Sequence, residues 1–341
     1  MDTNERQYDV IVVGGGAAGL GAAATLARAR RAVLVVDAGE PRNAPADGVH
    51  NFLGSDGTPP GELLARGRKE VVGYGGEIVD GTVSGARHLD DGFQVDLEGG
   101  RSVRSRRLLV TTGLVDELPD VPGLAERFGR DALHCPYCHG WEVRDRRIGV
   151  LATAAVGVEQ ALLWRQWSAD VTLLVHTGPA PDGEARERLD ARGITVADGT
   201  VTGLRVEDDR LIGAELDGGR VVPLDALVVA PRFVARSAVL TGLGLKATEM
   251  VVNGHVMGER IETGPGGATA VPGVWAAGNV ADLAETVIGS AAAGVRAAGM
   301  INADLVAEDT RLAVAAREVP FSATAERANG ERVRSGRGHG W

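Results

Sequence analysis

Cysteine is nearly absent from this chain of 341 residues, which contains two, Cys135 and Cys138, three positions apart. Two cysteines at this spacing are a poor way to cross-link so long a chain, but they suit reversible redox chemistry. Apolar runs long enough to span a bilayer are absent too. Residues 1–8 are polar and charged, unlike a secretory signal or a transit peptide. We therefore expect a cytoplasmic protein.

A basic cluster is also missing outside the C-terminal tail, and the net charge is -10. This acidic balance argues against nucleic acid or an anionic membrane as the main partner. Small molecules or proteins are the expected partners. The length is sufficient for two domains of ordinary size, each with its own core.

The first segment has the pattern strand, glycine turn, helix, strand. Residues 8–13, apolar except for Asp9, predict a strand, small residues 22–29 predict a helix, and residues 32–36 predict a second strand that ends at Asp37. Because such a βαβ crossover joins parallel strands, the pattern predicts a parallel sheet in an α/β fold. Residues 41–60 are rich in proline, glycine, asparagine and aspartate, which predicts a loop over a ligand or a domain surface.

Further strands and helices are predicted along the rest of the chain. They are a strand at 107–112, a βαβ unit with strand 148–152, helix 156–167 and strand 171–176, a strand at 274–277, and a helix from about 286 to 305. The cysteine pair thus lies between two nucleotide-binding-like units. After residue 308 apolar periodicity fades and arginine becomes frequent, so residues 309–341 are predicted to be a solvated, disordered tail.

The first glycine turn, Gly14-Gly15-Gly16-Ala17-Ala18-Gly19, has the pattern G-x-G-x-x-G between a strand and a helix. The glycines permit a tight turn and close approach of the backbone to a pyrophosphate, whose charge the helix N-terminus favours. Asp37 follows at the spacing of an acid that accepts a hydrogen bond from a ribose hydroxyl. That acid favours a dinucleotide site over a glycine turn that serves packing alone.

The segment His134-Cys135-Pro136-Tyr137-Cys138-His139 is the chemical centre of the sequence. Its C-x-x-C spacing lets the sulfurs form a reducible disulfide, and an adjacent imidazole can stabilise a thiolate or carry its proton. Half of a zinc site is an alternative, but it needs two more ligands, and histidines adjacent to the cysteines suit tetrahedral chelation badly. No metal is therefore expected. An inert buried pair is a third interpretation, which Pro136 and the flanking histidines disfavour.

Together these motifs resemble the low-molecular-weight thioredoxin reductase family, which are FAD-dependent pyridine nucleotide-disulfide oxidoreductases. The similarity covers roughly residues 6–306. It implies two Rossmann-like, three-layer ββα domains and a homodimer. The FAD domain would be discontinuous, at residues 1–118 and 246–308. An NADPH-like domain carrying the C-x-x-C motif would be inserted at residues 119–245.

The resemblance also assigns roles to single residues. It implies that Cys138 faces the flavin and Cys135 meets the substrate, while His139 replaces the acidic residue that commonly follows the second cysteine. Thr111-Thr112-Gly113 resembles an Ala-Thr-Gly turn of the family, and Asn51 lies in a flavin loop whose pattern His50 and Leu53 depart from. The FAD-binding residues implied are Gly14, Gly16, Ala17, Ala18, Gly19, Asp37, Asn51, Thr112, Gly113, Gly278 and Asn279.

The second glycine turn of the family, which binds the pyridine nucleotide, is altered here. Residues 152–157 read Ala-Thr-Ala-Ala-Val-Gly, so methyl groups crowd the place where backbone approaches pyrophosphate. A His-Arg-Arg stretch that binds the 2′-phosphate in the family is replaced by His176-Thr177-Gly178. Two interpretations stay open: the altered turn binds a nucleotide weakly, or the domain is a scaffold for the cysteine pair. We prefer the second, so NADPH is not the expected electron donor.

The sequence thus favours electron flow from thiol to flavin. A dithiol oxidase would close a disulfide in a small molecule and pass electrons through Cys135 and Cys138 to FAD and then to O2, giving H2O2. His139, with His134, would carry the thiol protons. The combination is similar to the dithiol oxidases of microbial natural products such as gliotoxin, holomycin and romidepsin. The alternatives are a reductase of thioredoxin or a related protein, driven by NADPH or ferredoxin, and a flavin redox sensor of low turnover.

Overall fold

The computed structural model of the chain describes residues 7–252, 254–318, 326, 327 and 330. The strands, in chain order, are β1 (Gln7–Val13), β2 (Val33–Asp37), β3 (Glu77–Asp80), β4 (Val83–Leu89), β5 (Gly92–Leu97), β6 (Ser102–Val110), β7 (Leu114–Glu117), β8 (Ala132–Leu133), β9 (Ile148–Leu151), β10 (Val171–Leu174), β11 (Thr195–Ala197), β12 (Val201–Glu207), β13 (Arg210–Leu216), β14 (Val221–Pro223), β15 (Ala226–Val228), β16 (Arg232–Ala235), β17 (Thr248–Val252), β18 (His255–Arg260) and β19 (Val274–Ala276). The α-helices are α1 (Ala17–Arg28), α2 (Pro60–Gly73), α3 (Leu124–Arg127), α4 (Pro136–His139), α5 (Val156–Trp164), α6 (Gly183–Ala191) and α7 (Val287–Glu318).

The first glycine turn follows β1 at the carboxyl ends of the parallel strands in a seven-stranded mixed sheet. Its strand order is β3-β2-β1-β6-β5-β4, and β19 pairs in parallel with the C-terminal half of β6. Val10 and Val12 of β1 pack on the side covered by α1 and α7, whereas Ile11 and Val13 pack on the opposite side with β5. Burial of both faces explains why residues 10–13 of β1 are all apolar. The predicted first βαβ unit is confirmed.

The second Rossmann-like unit contains a five-stranded parallel sheet in the order β11-β10-β9-β15-β8. Ile148 and Val150 of β9 pack against Trp164 of α5 on one face. Leu151 packs on the other face with residues of the antiparallel sheet β12-β13-β14. Helices on one face and an antiparallel sheet on the other give the three-layer ββα arrangement that the family resemblance implies.

A four-stranded sheet, β17-β18-β16-β7, is formed by segments that precede and follow the second unit in the sequence. Strand β7, residues 114–117, pairs antiparallel with β16, residues 232–235. The five-stranded sheet is thus built from the chain between these two strands, whereas β19 returns to the first sheet. The domain boundaries proposed from the sequence, at 118 and 245, stay a prediction.

The C-terminal helix α7 extends further than the sequence predicts. The predicted helix ends near 305, but α7 continues to Glu318, so residues 309–318 are helical where a disordered tail was expected. Ion pairs fix the start of this extension, since Asp309 bonds Arg31 and Arg106. The rest of the predicted tail lies outside the described residues, apart from 326, 327 and 330. Neither α7 nor any other helix in the described ranges combines the length and the apolar character needed to cross a membrane.

Candidate active site

A cavity of about 1530 Å³ joins the first glycine turn to the cysteine pair. Residues 13–18 and 36–38 line it at the glycine turn, and Cys135, Cys138 and His139 line it at the redox motif. Residues of the 40–51 loop complete the wall between them. Two motifs that belong to different sheets therefore face one common space.

The glycine turn is shaped by close contacts of its backbone. Gly14 has φ +104°, and a Cβ there would lie 2.5 Å from the carbonyl oxygen of Thr111. A Cβ on Gly19 would lie 1.9 Å from the Gly14 carbonyl oxygen, so Gly19 serves packing and, unlike Gly14 and Gly16, does not line the cavity. A Cβ on Gly16, which precedes α1, would meet no atom within 4 Å. Open space thus lies in front of the α1 N-terminus, where a pyrophosphate fits.

Asp37 and Thr111 hold this turn from either side. The Asp37 Oδ1 accepts a hydrogen bond from the Gly15 N–H at 2.9 Å, and its Oδ2 is 2.9 Å from the Arg68 guanidinium. The Thr111 hydroxyl donates to the carbonyl oxygens of Val13 and Gly14. Asp37 therefore lies at the cavity edge with its carboxylate already oriented.

The remaining predicted FAD residues also line the cavity. Thr112 donates its hydroxyl to the Arg236 carbonyl oxygen at 2.6 Å, and Gly113 follows with φ +71°. Gly278 has φ +75°, and a Cβ there would lie 2.9 Å from Ala18 Cβ. The Asn279 amide donates to the Asp282 and Glu285 carbonyl oxygens and thus braces the segment that leads into α7. The other members that line the cavity are Ala17, Ala18 and Asn51.

The cysteines lie at the start of the one-turn helix α4. The N–H groups of Cys138 and His139 donate to the Cys135 carbonyl oxygen at 3.3 and 3.2 Å. Pro136 occupies the first helical position, where its fixed φ is favourable. The two Sγ atoms are 2.7 Å apart. In the described part of the chain, no group of three or more histidine, cysteine or carboxylate side chains is arranged to hold a metal ion.

The two thiols differ strongly in acidity. The Cys138 thiol donates a hydrogen bond to the Cys135 sulfur, which lowers the pKa of Cys135 to about 7. The same hydrogen bond, together with burial, raises the pKa of Cys138. In the reduced pair, Cys135 is therefore the thiolate and Cys138 retains its proton.

The two flanking histidines lie in different surroundings. The His134 ring is near Phe128 and Phe233, with centroids 6.2 and 5.7 Å away. Burial, reinforced by the charge of Arg42, lowers the pKa of His134 to about 4, so its imidazole is neutral near pH 7. Burial also lowers the pKa of His139, but the carboxylate of Glu142 opposes this effect. His139 is thus the better placed of the two to exchange protons.

Arg42, which the sequence analysis did not single out, is an important part of the site. Its Nε and Nη2 donate to the two carboxylate oxygens of Asp116, both at 2.6 Å, and its guanidinium lies 5.4 Å from the Phe233 ring centroid. The positive charge of Arg42 acts to lower the pKa of Cys135 and Cys138. Arg42 lies in an aperiodic loop, and no local pattern links it to the cysteines.

The loop at residues 50–56 reaches the redox motif as well. The Asn51 side-chain amide donates to the Tyr137 carbonyl oxygen. His50 lies between two carboxylates, with Nδ1 3.2 Å from Asp56 Oδ1 and Nε2 3.3 Å from Glu142 Oε1. The family resemblance assigned Asn51 to a flavin loop. Neither its hydrogen bond to Tyr137 nor the contacts of His50 with Asp56 and Glu142 were predicted from the sequence.

The chain is similar to known proteins over most of its length. A family model described as pyridine nucleotide-disulphide oxidoreductase matches residues 8–298. The chain belongs to this family. The thioredoxin reductase tcpT of Claviceps purpurea (strain 20.1) is 33% identical over 321 residues, which are 88% of this chain and 95% of that protein.

Two solved structures are similar over nearly the whole oxidoreductase. The crystal structure of HlmI is 46% identical with a TM-score of 0.86, covering 93% of this chain and 98% of that one. The oxidoreductase from Agrobacterium tumefaciens is 34% identical with a TM-score of 0.82, covering 88% and 99%. The predicted family, the α/β flavoprotein fold and the assignment as an FAD-dependent disulfide oxidoreductase are confirmed.

The oxidoreductase has residues that fit FAD. The open space at Gly16 lies where the α1 N-terminus favours phosphate charge, and Asp37 stands at the end of β2 beside the turn. The cavity continues from there to the cysteines, past Thr112, Gly113 and residues 278–279. These residues would hold the cofactor so that the thiols face the same space.

A second cavity, of about 570 Å³, lies beside the altered glycine turn of the oxidoreductase. Thr153, His176 and Thr177 line it, as do the carboxylates of Glu117 and Asp120. The one guanidinium among its lining residues, that of Arg232, is paired with Glu117 at 3.0 Å and with Glu259. The His176 Nδ1 accepts a hydrogen bond from the Val201 N–H. The charged residues that line this cavity are thus two acidic ones and one arginine that is already paired.

Proposed function

We propose that this oxidoreductase is a dithiol oxidase, which closes a disulfide in a small-molecule dithiol and passes the electrons through Cys135 and Cys138 to FAD and then to dioxygen. The observation that carries the proposal is the shared cavity of about 1530 Å³, into which both the cysteine pair and the FAD turn face. A thiol and a flavin in one space can exchange electrons without a large rearrangement. The similarity to HlmI and tcpT adds to this support.

The acidity of Cys135 favours the oxidative direction. In thiol–disulfide exchange, a thiol of lower pKa leaves faster. Since the pKa of Cys135 is lowered to about 7, Cys135 is a good leaving group in the step that releases a substrate disulfide. A low-pKa cysteine also stabilises the reduced pair, which makes the oxidised pair a stronger oxidant.

The electrons and bonds balance in two exchange steps. A substrate thiolate attacks Cys135 Sγ, which breaks the Cys135–Cys138 disulfide and leaves the electron pair on Cys138. The second substrate thiolate attacks the substrate sulfur of the mixed disulfide, which releases the substrate disulfide and the Cys135 thiolate. When bound, FAD supplies the two-electron acceptor that reoxidises the pair and reduces O2 to H2O2.

Proton transfer falls to His139 in this scheme. Attack by the substrate requires that its thiols lose their protons, and Cys138 must lose its own proton before the pair is reoxidised. His139 lines the cavity next to Cys138 and is a base whenever its imidazole is neutral. Arg42 favours the thiolates through its charge. His134 is neutral and packs beside the aromatic rings.

The second cavity supports a donor other than NADPH. A 2′-phosphate needs cationic hydrogen-bond donors, but Glu117 and Asp120 carry the opposite charge, and Arg232 is already paired. The pyridine-nucleotide unit is accordingly proposed to support the cysteine turn and to leave electron supply to the dithiol.

Anaerobic mixing tests the proposal. Protein with bound FAD is mixed with dithiothreitol and, in a separate sample, with excess NADPH, while the flavin absorbance is recorded. We expect bleaching by dithiothreitol alone, hydrogen peroxide on admission of air, and sustained turnover, which a redox sensor would lack. Rapid bleaching by NADPH would instead identify a disulfide reductase. The Cys138→Ser variant is the matched control, because it should keep FAD and lose bleaching by dithiothreitol.

A further inference from the structure

We propose that Arg68 is a positioning residue of the FAD site, which holds the Asp37 carboxylate in the orientation that accepts a ribose hydroxyl of the cofactor. Asp37 lines the large cavity, whereas Arg68 belongs to α2 and does not line it. Arg68 therefore acts on the cofactor through Asp37. The inference concerns FAD binding alone and is independent of the direction of electron flow proposed above.

The side chain of Arg68 bridges two carboxylates. Its Nη1 donates to Asp37 Oδ2 at 2.9 Å, and its Nη2 donates to Asp80 Oδ1 at 2.6 Å. A guanidinium presents its donors in a rigid fork, so two simultaneous contacts fix its orientation. Asp37 thus has a donor whose own position is set by a second partner.

Asp37 and Asp80 need a shared cation because they are neighbours in the sheet. They are register partners at the ends of the parallel strands β2 and β3. Two carboxylates on adjacent strands repel each other, and the repulsion is stronger where water is excluded. The side chain of Asp80 is 83% exposed, but that of Asp37 is 18% exposed. Without the guanidinium, the less solvated carboxylate of Asp37 would be displaced from its position beside the glycine turn.

The Asp37 carboxylate keeps capacity for a ligand after these contacts. Its Oδ1 accepts a hydrogen bond from the Gly15 N–H at 2.9 Å, and its Oδ2 accepts the one from Arg68. An ionised carboxylate has about four acceptor sites, so about two are left for ribose hydroxyls. Because both oxygens are already held, the acceptor need not be ordered when the cofactor binds, which favours affinity.

FAD dissociation from the holoprotein tests the role of Arg68. Ultrafiltration at a series of dilutions gives the fraction of flavin that stays bound, and hence Kd. Arg68→Met keeps the apolar stem and removes the guanidinium, so FAD affinity should fall about five- to tenfold, as for loss of one charge-assisted hydrogen bond. Arg66→Met is the matched control, because Arg66 lies on the same helix and pairs with Glu62 at 2.5 Å. Its FAD affinity should equal that of wild type.

A double-mutant cycle with Asp37→Asn separates positioning from a purely structural role. Asparagine keeps the shape of Asp37 but loses the charge that Arg68 holds. If Arg68 acts through Asp37, adding Arg68→Met to Asp37→Asn should change Kd by less than about twofold. If Arg68 only stabilises α2, Arg68→Met should cause the same loss of affinity in both backgrounds.

Arg68→Lys covers the case in which Arg68→Met does not fold. Lysine keeps the charge but presents a single nitrogen to two carboxylates, so FAD affinity should again fall. Wild-type affinity in either Arg68 variant, an equal fall in Arg66→Met, or the full additional loss in the double variant would each overturn the role of Arg68. Bleaching by dithiothreitol is measured with FAD bound, so a failure of the proposed function is distinguishable from a failure of this inference.

Discussion

Asn51 donates a hydrogen bond from its side-chain amide to the carbonyl oxygen of Tyr137, which lies 86 positions later and between the two cysteines. The backbone of Asn51 has φ +57°, a left-handed conformation that asparagine adopts more readily than most residues. A loop of the first unit is thereby fixed on the redox turn of the second. We expect the geometry of the cysteine turn to depend on this contact.

Replacement of Asn51 by glycine tests this dependence. Glycine tolerates the same φ but lacks the amide, so one hydrogen bond is lost without backbone strain. A loss of about 1 kcal/mol in the positioning of the turn corresponds to a rate about fivefold lower. The measurement is anaerobic flavin reduction by dithiothreitol. Arg30→Gly is the control, because Arg30 also has a positive φ but lies on the surface after α1; equal slowing in both variants would contradict the assignment.

The acidity of Cys135 predicts a pH profile for alkylation. Its pKa is lowered to about 7, so the reduced protein should react with iodoacetamide half-maximally near that pH and remain reactive below the ordinary thiol range. In Cys138→Ala the hydrogen bond to Cys135 is lost while burial persists, so the pKa of Cys135 should rise. Alkylation rates followed by mass spectrometry measure both. A profile that is the same in both proteins would exclude Cys138 as the cause.

Removal of the imidazole at position 139 should affect proton transfer alone. His139→Gln is expected to reduce the flavin about 10²-fold more slowly while FAD stays bound. Because burial lowers the pKa of His139, the imidazole is a base at neutral pH, and its protonation should add a further acid limb below pH 6.5 to the fall that protonation of the thiols causes from about pH 8.5 downwards. His139→Gln should lack this acid limb, whereas His134→Phe should keep it. An acid limb that persists in His139→Gln would assign it to another group.

Replacement of two glycines of the first turn should separate folding from FAD binding: a change at Gly14 should lower stability, and a change at Gly16 should lower FAD affinity. Gly14→Ala places a Cβ at φ +104° and 2.5 Å from the Thr111 carbonyl oxygen, so the free energy of unfolding should fall by more than about 1 kcal/mol. Gly16→Ala meets no protein atom, so the flavin-free protein should unfold as wild type does. Its methyl group fills the phosphate space, and FAD affinity should fall at least about tenfold, or ~1.4 kcal/mol.

Thermal unfolding with and without FAD, together with flavin content, measures both effects. The two variants serve as each other's control, because they lie two residues apart in the same turn. A Gly16→Ala protein that keeps full FAD content would show that the space in front of α1 is not the pyrophosphate site.

The parts of the fold predicted well from the sequence have strong local signals. The βαβ unit around Gly14 is an apolar strand, a glycine turn and an alanine-rich helix, and each of these is decided by neighbours in sequence. Strands β4, β5 and β16–β18 are mixed in polarity, so no apolar run marks them. The pairs β4–β5 and β17–β18 are hairpins of neighbouring strands, whereas β16 pairs with β7 and β18, which lie farther away along the chain. The ion pairs of Asp309 in α7 likewise join it to Arg31 and Arg106, which are far from it in the chain.

The candidate site likewise contains residues that a local motif reveals and residues whose role depends on partners distant in the sequence. The cysteine pair and the glycine turn are visible because their chemistry requires fixed local spacing. Arg42 and His50 lie in a loop without periodicity, and their partners Asp116 and Glu142 are distant in sequence. Their contribution is electrostatic and geometric, so it becomes visible only when the loop is folded onto the redox turn.

Gly178 packs directly against the altered glycine turn. Any side chain at this position would begin 2.9 Å from the carbonyl oxygen of Ala152, which already accepts a hydrogen bond from the Gly178 N–H. A larger residue at position 178, arginine included, would therefore require the backbone that follows β9 to move. Main-chain packing thus restricts position 178 to glycine for as long as the turn keeps this conformation.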